Sequence, residues 1–210
     1  MIAGKPLIQY TIDAALKASF FEKIVISTDD SEIVALAVDQ GVEFLIRPGE
    51  MAEDSSPTID AVIHFIEEYK LEDEDKIVLL QPTSPLRDEI NIIEAVDLFR
   101  SGKGNSLVSV TREEHSVFWT FRITNGYLEP VMGKEYLSRR SQDLPETFIP
   151  NGAIFIADVK TILEYRTFYC TDTLPYVMER EDSIDIDEPF DLKIAELLIE
   201  IKKNQEEECS

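Results

Sequence analysis

The sequence predicts an α/β fold, a doubly wound and mainly parallel sheet with helices on both faces. Three observations carry that expectation. Short, continuous apolar strands such as residues 23–27 (KIVIS) and 76–80 (KIVLL) are of the kind buried on both sides. Amphipathic segments with the 3.6-residue period lie between them, as at 58–69 (TIDAVIHFIEEY). Strand and helix alternate along the chain, the order of a layered α/β domain. At 210 residues the length suits a single domain.

In order, residues 8–17 form a helix behind Pro6, with Ile8, Ile12, Ala15 and Leu16 on one face. Residues 23–27 form a strand ending in the polar turn Thr28-Asp29-Asp30, and 31–39 a helix stopped at Gly41. Residues 42–46 form a strand, 47–57 a loop, and 58–69 a helix with Ile59, Val62, Ile63 and Phe65 inward. A strand at 76–80, a helix at 89–100 and a strand at 106–111 follow. Across 112–147 the alternation stops, and Asn125-Gly126 marks a hairpin turn, so this stretch reads as an inserted arm. Alternation resumes with a strand at 152–156, a helix at 159–165, a strand at 174–177 and a last helix at 189–203. The polar end NQEEECS reads as a frayed tail. No internal repeat or linker is evident, so residues 1–210 form one domain carrying an arm at 112–147.

Composition excludes several classes of function. There are 42 Asp and Glu against 20 Lys and Arg, giving a net charge of -22, which argues against a nucleic-acid or anionic membrane surface. No apolar run approaches the ~20 residues of a membrane span, and the N-terminus lacks an apolar secretion segment. Cys170 and Cys209 are too few for a disulfide scaffold. The expectation is a cytoplasmic protein.

Four segments could carry chemistry. Gln81-Pro82-Thr83-Ser84-Pro85-Leu86-Arg87 follows a strand directly, where open α/β sheets bind ligands. Asp185 and Asp187 alternate on an extended segment, so both carboxylates can face one hard cation such as Mg²⁺. Arg139-Arg140-Ser141-Gln142 in the arm suits a carboxylate or phosphate. Arg47 with Ser56 and Thr58 leads donors into a helix N-terminus. On the residues alone each has a plainer reading: a capped turn, a chance acid pair in an acidic chain, a surface ion-pair patch and a capped helix start. His64, mid-helix, reads as a surface residue or a satisfied partner, and no nucleophile–histidine arrangement appears.

Taken in order, AGKPLIQYTIDAAL, VISTDD, RPGEMAEDSSPTID, LLQPTSPLR, SQDLPETFIPNGAIFI and DSIDIDEPFDL resemble the acylneuraminate cytidylyltransferases, the CMP-sialic acid synthetases, over about residues 3–200. The resemblance implies a nucleotidyltransferase version of the doubly wound sheet. It also implies a homodimer whose arm reaches the partner's sugar site. The reaction implied joins CTP to a nine-carbon 2-keto acid, a nonulosonic acid with sialic acid first, with Mg²⁺ as cofactor. Carried over by position, Asp185 and Asp187 are the metal pair, and one of them also helps to deprotonate the attacking hydroxyl. Arg47, Ser56 and Thr58 surround the cytosine and ribose. Gln81, Phe155, Phe168 and Tyr169 line the sugar, and Gln142 reaches it from the arm. Many members have Arg directly before that glutamine; here Ser141 stands there and Arg140 is one residue displaced. NGAIFI looks more like the sialic and legionaminic branch than the pseudaminic one.

The family pattern also has a strand and a glycine-rich phosphate loop before the first segment matched here. The chain holds only 8 glycines, roughly half of the usual ~7%. That pattern predicts two strand edges lacking partners, beside 23–27 and 76–80. Two other readings stand beside the main one: a truncated, inactive relative that binds sugar or dimerises, and a CMP-legionaminic or CMP-Kdo-type synthetase.

Overall fold

The structure, a computed structural model, describes residues 1–53 and 56–209, with side chains through residue 205. The chain runs α1 (Leu7–Ala18), β1 (Val25–Thr28), α2 (Ser31–Asp39), β2 (Glu43–Ile46), α3 (Thr58–Tyr69), β3 (Lys76–Leu79), α4 (Glu89–Ser101) and β4 (Ser106–Arg112). The arm follows with β5 (Phe121–Thr124) and β6 (Tyr127–Pro130). Then come β7 (Phe148–Asp158), α5 (Val159–Tyr165), β8 (Thr173–Met178) and α6 (Pro189–Cys209).

Local chemistry sets the helix ends. Asp30 caps α2 by accepting from the Glu32 N–H at 2.7 Å, and Gly41 closes it at φ 67°. Asp88 and Asn91 form a reciprocal capping box at the start of α4. The last helix is longer than its apolar pattern: α6 continues through Cys209, so the polar tail read as frayed is helical. Its Gln and Glu residues are good helix formers that extend an existing helix without needing burial.

The main sheet has strand order β3-β7-β4-β8. β4 and β8 are parallel, whereas β7 runs antiparallel to both β3 and β4. The layer is thus mixed where its apolar strands suggested mainly parallel pairing. A central strand is buried on both faces whichever way it runs, so composition does not reveal direction. β1 and β2 form a separate parallel pair. Among the described residues β1 pairs only with β2, and β3 only with β7.

Each face of the main sheet is covered. Leu107 and Ile156 point into a cluster with Ile92, Ala95, Val96 and Phe99 of α4. Their neighbours Val108 and Ala157 point the other way, into Val62, Ile63 and Ile66 of α3 and Ile162 of α5. Ile12 of α1 packs on Ile26, Ala37 and Val42, while Ala14 and Ala18 reach the α4 cluster, so α1 joins the two sheets. Leu16, expected inward on α1, is 43% exposed. The short residues Ala14 and Ala18 take the buried face instead, because they allow α1 to approach α4 closely. α6 seals one end through Ala195 and Ile199 against Ile2 and Leu86.

The arm is the expected excursion between β4 and β7. Asn125 and Gly126 both have positive φ, 53° and 82°, the two-residue turn that suits a twisted hairpin.

Candidate functional site

The site grows from an irregularity in β7. Its register with β4 jumps from Val108↔Phe155 to Val110↔Pro150, so residues 151–154 bulge opposite Ser109. Bulges re-aim chain beside functional sites. Here the bulge holds Gly152 at φ 73°, just beyond the carboxyl end of β3. A Cβ at Gly152 would lie 2.9 Å from Asp185 Oδ2 and 3.2 Å from Gln81 Oε1. The bare glycine therefore lets two predicted site residues, from segments far apart in sequence, approach one backbone.

A turn and an extended segment deliver those side chains. Gln81 opens the turn after β3, and Asp185 lies in the extended segment between β8 and α6. The Ile186 N–H donates to the Thr83 carbonyl at 2.9 Å and ties one segment to the other. Asp185 Oδ1 is buried and has no hydrogen-bond partner among the described residues. Burial pushes the Asp185 carboxyl above its ordinary range; the Thr83 hydroxyl opposes this, and Asp187 and Asp191 add to it. Asp187 is exposed, and its N–H donates to Asp191 Oδ2 at 3.2 Å.

These residues fit Mg²⁺ of the kind held jointly by protein and substrate. Asp185 presents a buried oxygen that lacks a donor. Among the described residues no group of three or more His, Cys, Asp or Glu could hold an ion unaided. Mg²⁺ commonly takes one or two carboxylates and completes its shell with phosphate and water.

The aromatic residues also come together. The Phe155 ring lies 5.4 Å from Phe168 and 6.4 Å from Tyr169, edge-on to the latter. Phe168 is buried in the α3–α5 cluster and Tyr169 is 56% exposed, so the three grade from core to surface. Such a wall suits the apolar part of a ligand.

Arg47, Ser56 and Thr58 lie along the β2–α3 connection. Arg47 donates from Nη2 to the Ser27 carbonyl at 2.7 Å and from Nε to Ser27 Oγ at 3.3 Å, fixing it at the end of β1. Ser56 Oγ donates to the Glu50 carbonyl at 3.1 Å, and Thr58 begins α3. Arg140 and Gln142 are exposed on the arm, away from the bulge in sequence and contact. Arg140 is engaged by Asp143, Nε to Oδ2 at 2.9 Å.

Sequence reasoning missed the support beneath the site. Asn151, Ser109 and Ser183 form a hydrogen-bonded chain under Gly152. Asn151 heads NGAIFI and is a polar residue in an otherwise apolar strand, whereas the two serines carry no sequence signal of their own. His64 also differs from expectation: its side chain is 11% exposed, and Nδ1 is buried without a partner among the described residues.

A family model described as cytidylyltransferase matches residues 1–127, more than half of the chain. The chain belongs to the cytidylyltransferase family. It is 37% identical to an N-acylneuraminate cytidylyltransferase of Escherichia coli O18:K1:H7 over 207 residues, covering 98% of this chain and 48% of that protein. It is 36% identical to the CMP-N,N'-diacetyllegionaminic acid synthase of Legionella pneumophila, covering 98% of this chain and 89% of the relative. This cytidylyltransferase chain thus spans about half the length of the N-acylneuraminate cytidylyltransferases it matches and most of the legionaminic one. The solved structure of CMP:2-keto-3-deoxy-manno-octonic acid synthetase complexed with CTP superposes with a TM-score of 0.68 at 13% identity, covering 96% of this chain and 90% of that one. At that identity the likeness shows the nucleotidyltransferase fold. No described helix is long and apolar enough to cross a membrane.

Proposed function

We propose that this cytidylyltransferase joins CTP to an N-acylated nonulosonic acid, releasing pyrophosphate. The sugar's anomeric oxygen forms a bond to the α-phosphorus, and the bond from that phosphorus to the bridging oxygen breaks. The hydroxyl proton passes to a carboxylate or water, and pyrophosphate carries away the electron pair. Little covalent work falls to the protein, so positioning and charge dominate.

The observation that carries this reading is the meeting of Gln81 and Asp185 over Gly152. An amide that can hydrogen-bond sugar hydroxyls lies against a carboxylate with one buried oxygen, Oδ1, that lacks a donor among the described residues. Mg²⁺ held there would neutralise charge on the phosphate oxygens. Asp185 and Asp187 supply its protein oxygens and a place for the departing proton. Arg47, Ser56 and Thr58 bind the cytosine and ribose, while Phe155, Phe168 and Tyr169 wall the sugar and its acyl group. Arg140 and Gln142, exposed on an arm whose two strands pair only with each other among the described residues, would serve the site of a second copy. We assign a homodimer through that arm, whose Ile123, Tyr127 and Leu128 are 78%, 78% and 68% exposed. CTP supply places the reaction in the cytoplasm.

The test is pyrophosphate release from CTP and Mg²⁺ with N-acetylneuraminate, N,N'-diacetyllegionaminate or Kdo. Turnover with an N-acylated nine-carbon acid, lost in Asp187→Ala with the fold intact, supports the reading. Turnover only with Kdo overturns the sugar class, and no turnover with any of them overturns the activity.

A further inference from the structure

Beneath Gly152 lies a hydrogen-bonded chain to which the proposed function assigns no role. Ser109, fully buried opposite the bulge, donates from Oγ to Asn151 Oδ1 at 2.6 Å and accepts the Ile154 N–H at 2.8 Å. Asn151 is 3% exposed. Its Oδ1 also accepts the Ala153 N–H at 3.3 Å. These bonds satisfy polar groups that the bulge would otherwise leave unpaired.

The other end of Asn151 does something different. Its Nδ2 donates outward to Ser183 Oγ at 2.8 Å, with a second contact to Met178 Sδ at 3.2 Å. Ser183 Oγ in turn donates to the Glu179 carbonyl at 2.7 Å. Ser183 is therefore pinned from both sides, two residues before Asp185. Beyond Asp185 the Ile186 N–H is pinned to Thr83. The Asp185 carboxylate sits between two anchors, and Asn151 provides the one that leads back into the sheet.

We infer that Asn151, oriented by Ser109, is a positioning residue that fixes Asp185 through Ser183 and so sets the affinity of the site for a divalent cation bound with CTP. The inference rests on the reading that Asp185 serves that cation. Groups that orient a metal ligand commonly change affinity by 10–100-fold when removed. The bond to Ser183 is the informative one, because the bulge does not need it. Ser183→Ala leaves Ser109, Asn151 and the backbone of β7 untouched, whereas Asn151→Ala strips a buried site and risks the fold.

The experiment titrates the 210-residue chain with Mn²⁺ in the presence of CTP and without sugar, following free Mn²⁺ by electron paramagnetic resonance. Thermal unfolding is measured in parallel. Ser183→Ala is expected to weaken Mn²⁺ binding by on the order of 10-fold while the chain still unfolds cooperatively at a modestly lower melting temperature, and Ser183→Thr to restore binding by returning the hydroxyl. Asp185→Asn should weaken it further. Unchanged affinity in Ser183→Ala beside a loss in Asp185→Asn overturns the positioning role and leaves the metal assignment standing. A loss in Ser183→Ala that Ser183→Thr does not restore also overturns it. Unchanged affinity in Asp185→Asn overturns the metal assignment itself, and this inference with it.

Discussion

Gln81 and Asp185 share one neighbour, Gly152, whose missing side chain leaves room for both: a Cβ there would stand 3.2 Å from one and 2.9 Å from the other. The backbone at Gly152 is also in the left-handed region, φ 73°. Gly152→Ala therefore faces two penalties. The φ costs an alanine about 1 kcal/mol, and the methyl pushes at least one functional side chain aside. We expect the melting temperature to fall by roughly 2–4 °C per kcal/mol lost, and turnover to fall by on the order of 100-fold. Calorimetry and pyrophosphate release measure the two. A variant with unchanged turnover would show that Gln81 and Asp185 need not approach this backbone.

Asp185 yields a prediction of opposite sign for stability. Its carboxyl binds a proton more tightly folded than unfolded, because burial disfavours the charge. Its contribution is thus fully present below the unfolded value and is lost as pH rises through the folded value. At neutral pH, without cation, the ionised carboxylate weakens the fold. Asp185→Asn should then raise the melting temperature of the unliganded chain at pH 7, with the gap closing as pH falls and the native carboxyl takes up its proton. The same variant should lose activity by on the order of 100-fold. A lower melting temperature at pH 7 would mean that the carboxylate is satisfied by the protein alone.

How much of this was legible from the sequence depends on how far each signal reaches. α2 and α3 have the bounds the periodicity predicts, because caps and apolar spacing act within one helix. The arm also stands where alternation stops. The extra length of β7 is different: Phe148 and Ile149 are both 42% exposed and pair with Arg112 and Thr111 through backbone bonds, which leave no side-chain period. Gln81, Asp185 and the Phe155–Phe168 contact were legible as residues, but not their convergence. The Ser109–Asn151–Ser183 chain joins residues 42 and 32 positions apart, and no local pattern encodes such a pairing.

Arg87 tests how a buried cation is tolerated. It is 1% exposed, and its Nε and Nη1 have no partner among the described residues. Burial lowers its pKa to about 10, against the opposing charge of Asp88. Its firm contact is Nη2 to Thr11 Oγ1 at 2.7 Å, which joins the turn after β3 to α1. Replacing a buried charge with an apolar chain of similar length is often neutral or stabilising, whereas removing its partner is not. Arg87→Met should change stability by less than about 1 kcal/mol, and Thr11→Val should cost about 1.5–3 kcal/mol. In the double variant the Thr11→Val cost should largely vanish. Chemical denaturation resolves all three, and additive losses would rule out the coupling.

The arm gives the last prediction. Ile123 and Leu128 are directly paired across β5 and β6 and stand 78% and 68% exposed, so they form one apolar patch on a hairpin that the domain itself does not cover. The hairpin keeps its own geometry through Asn125-Gly126 and through Arg122 donating to Glu129 at 3.1 Å. Charge placed on the patch should therefore disturb association without unfolding the domain. If the proposed dimer forms through this patch, Ile123→Asp with Leu128→Asp should leave only monomer by sedimentation, at a melting temperature within about 2 °C of the parent after allowing for lost association. A net charge of -22 on each chain opposes pairing, so dissociation should also increase as salt is lowered and screening is lost. If Arg140 and Gln142 serve the partner's site, the monomer should bind sugar more weakly, seen as a raised KM for sugar with that for CTP little changed. A fully active monomer would assign the arm's polar residues to no role in the reaction.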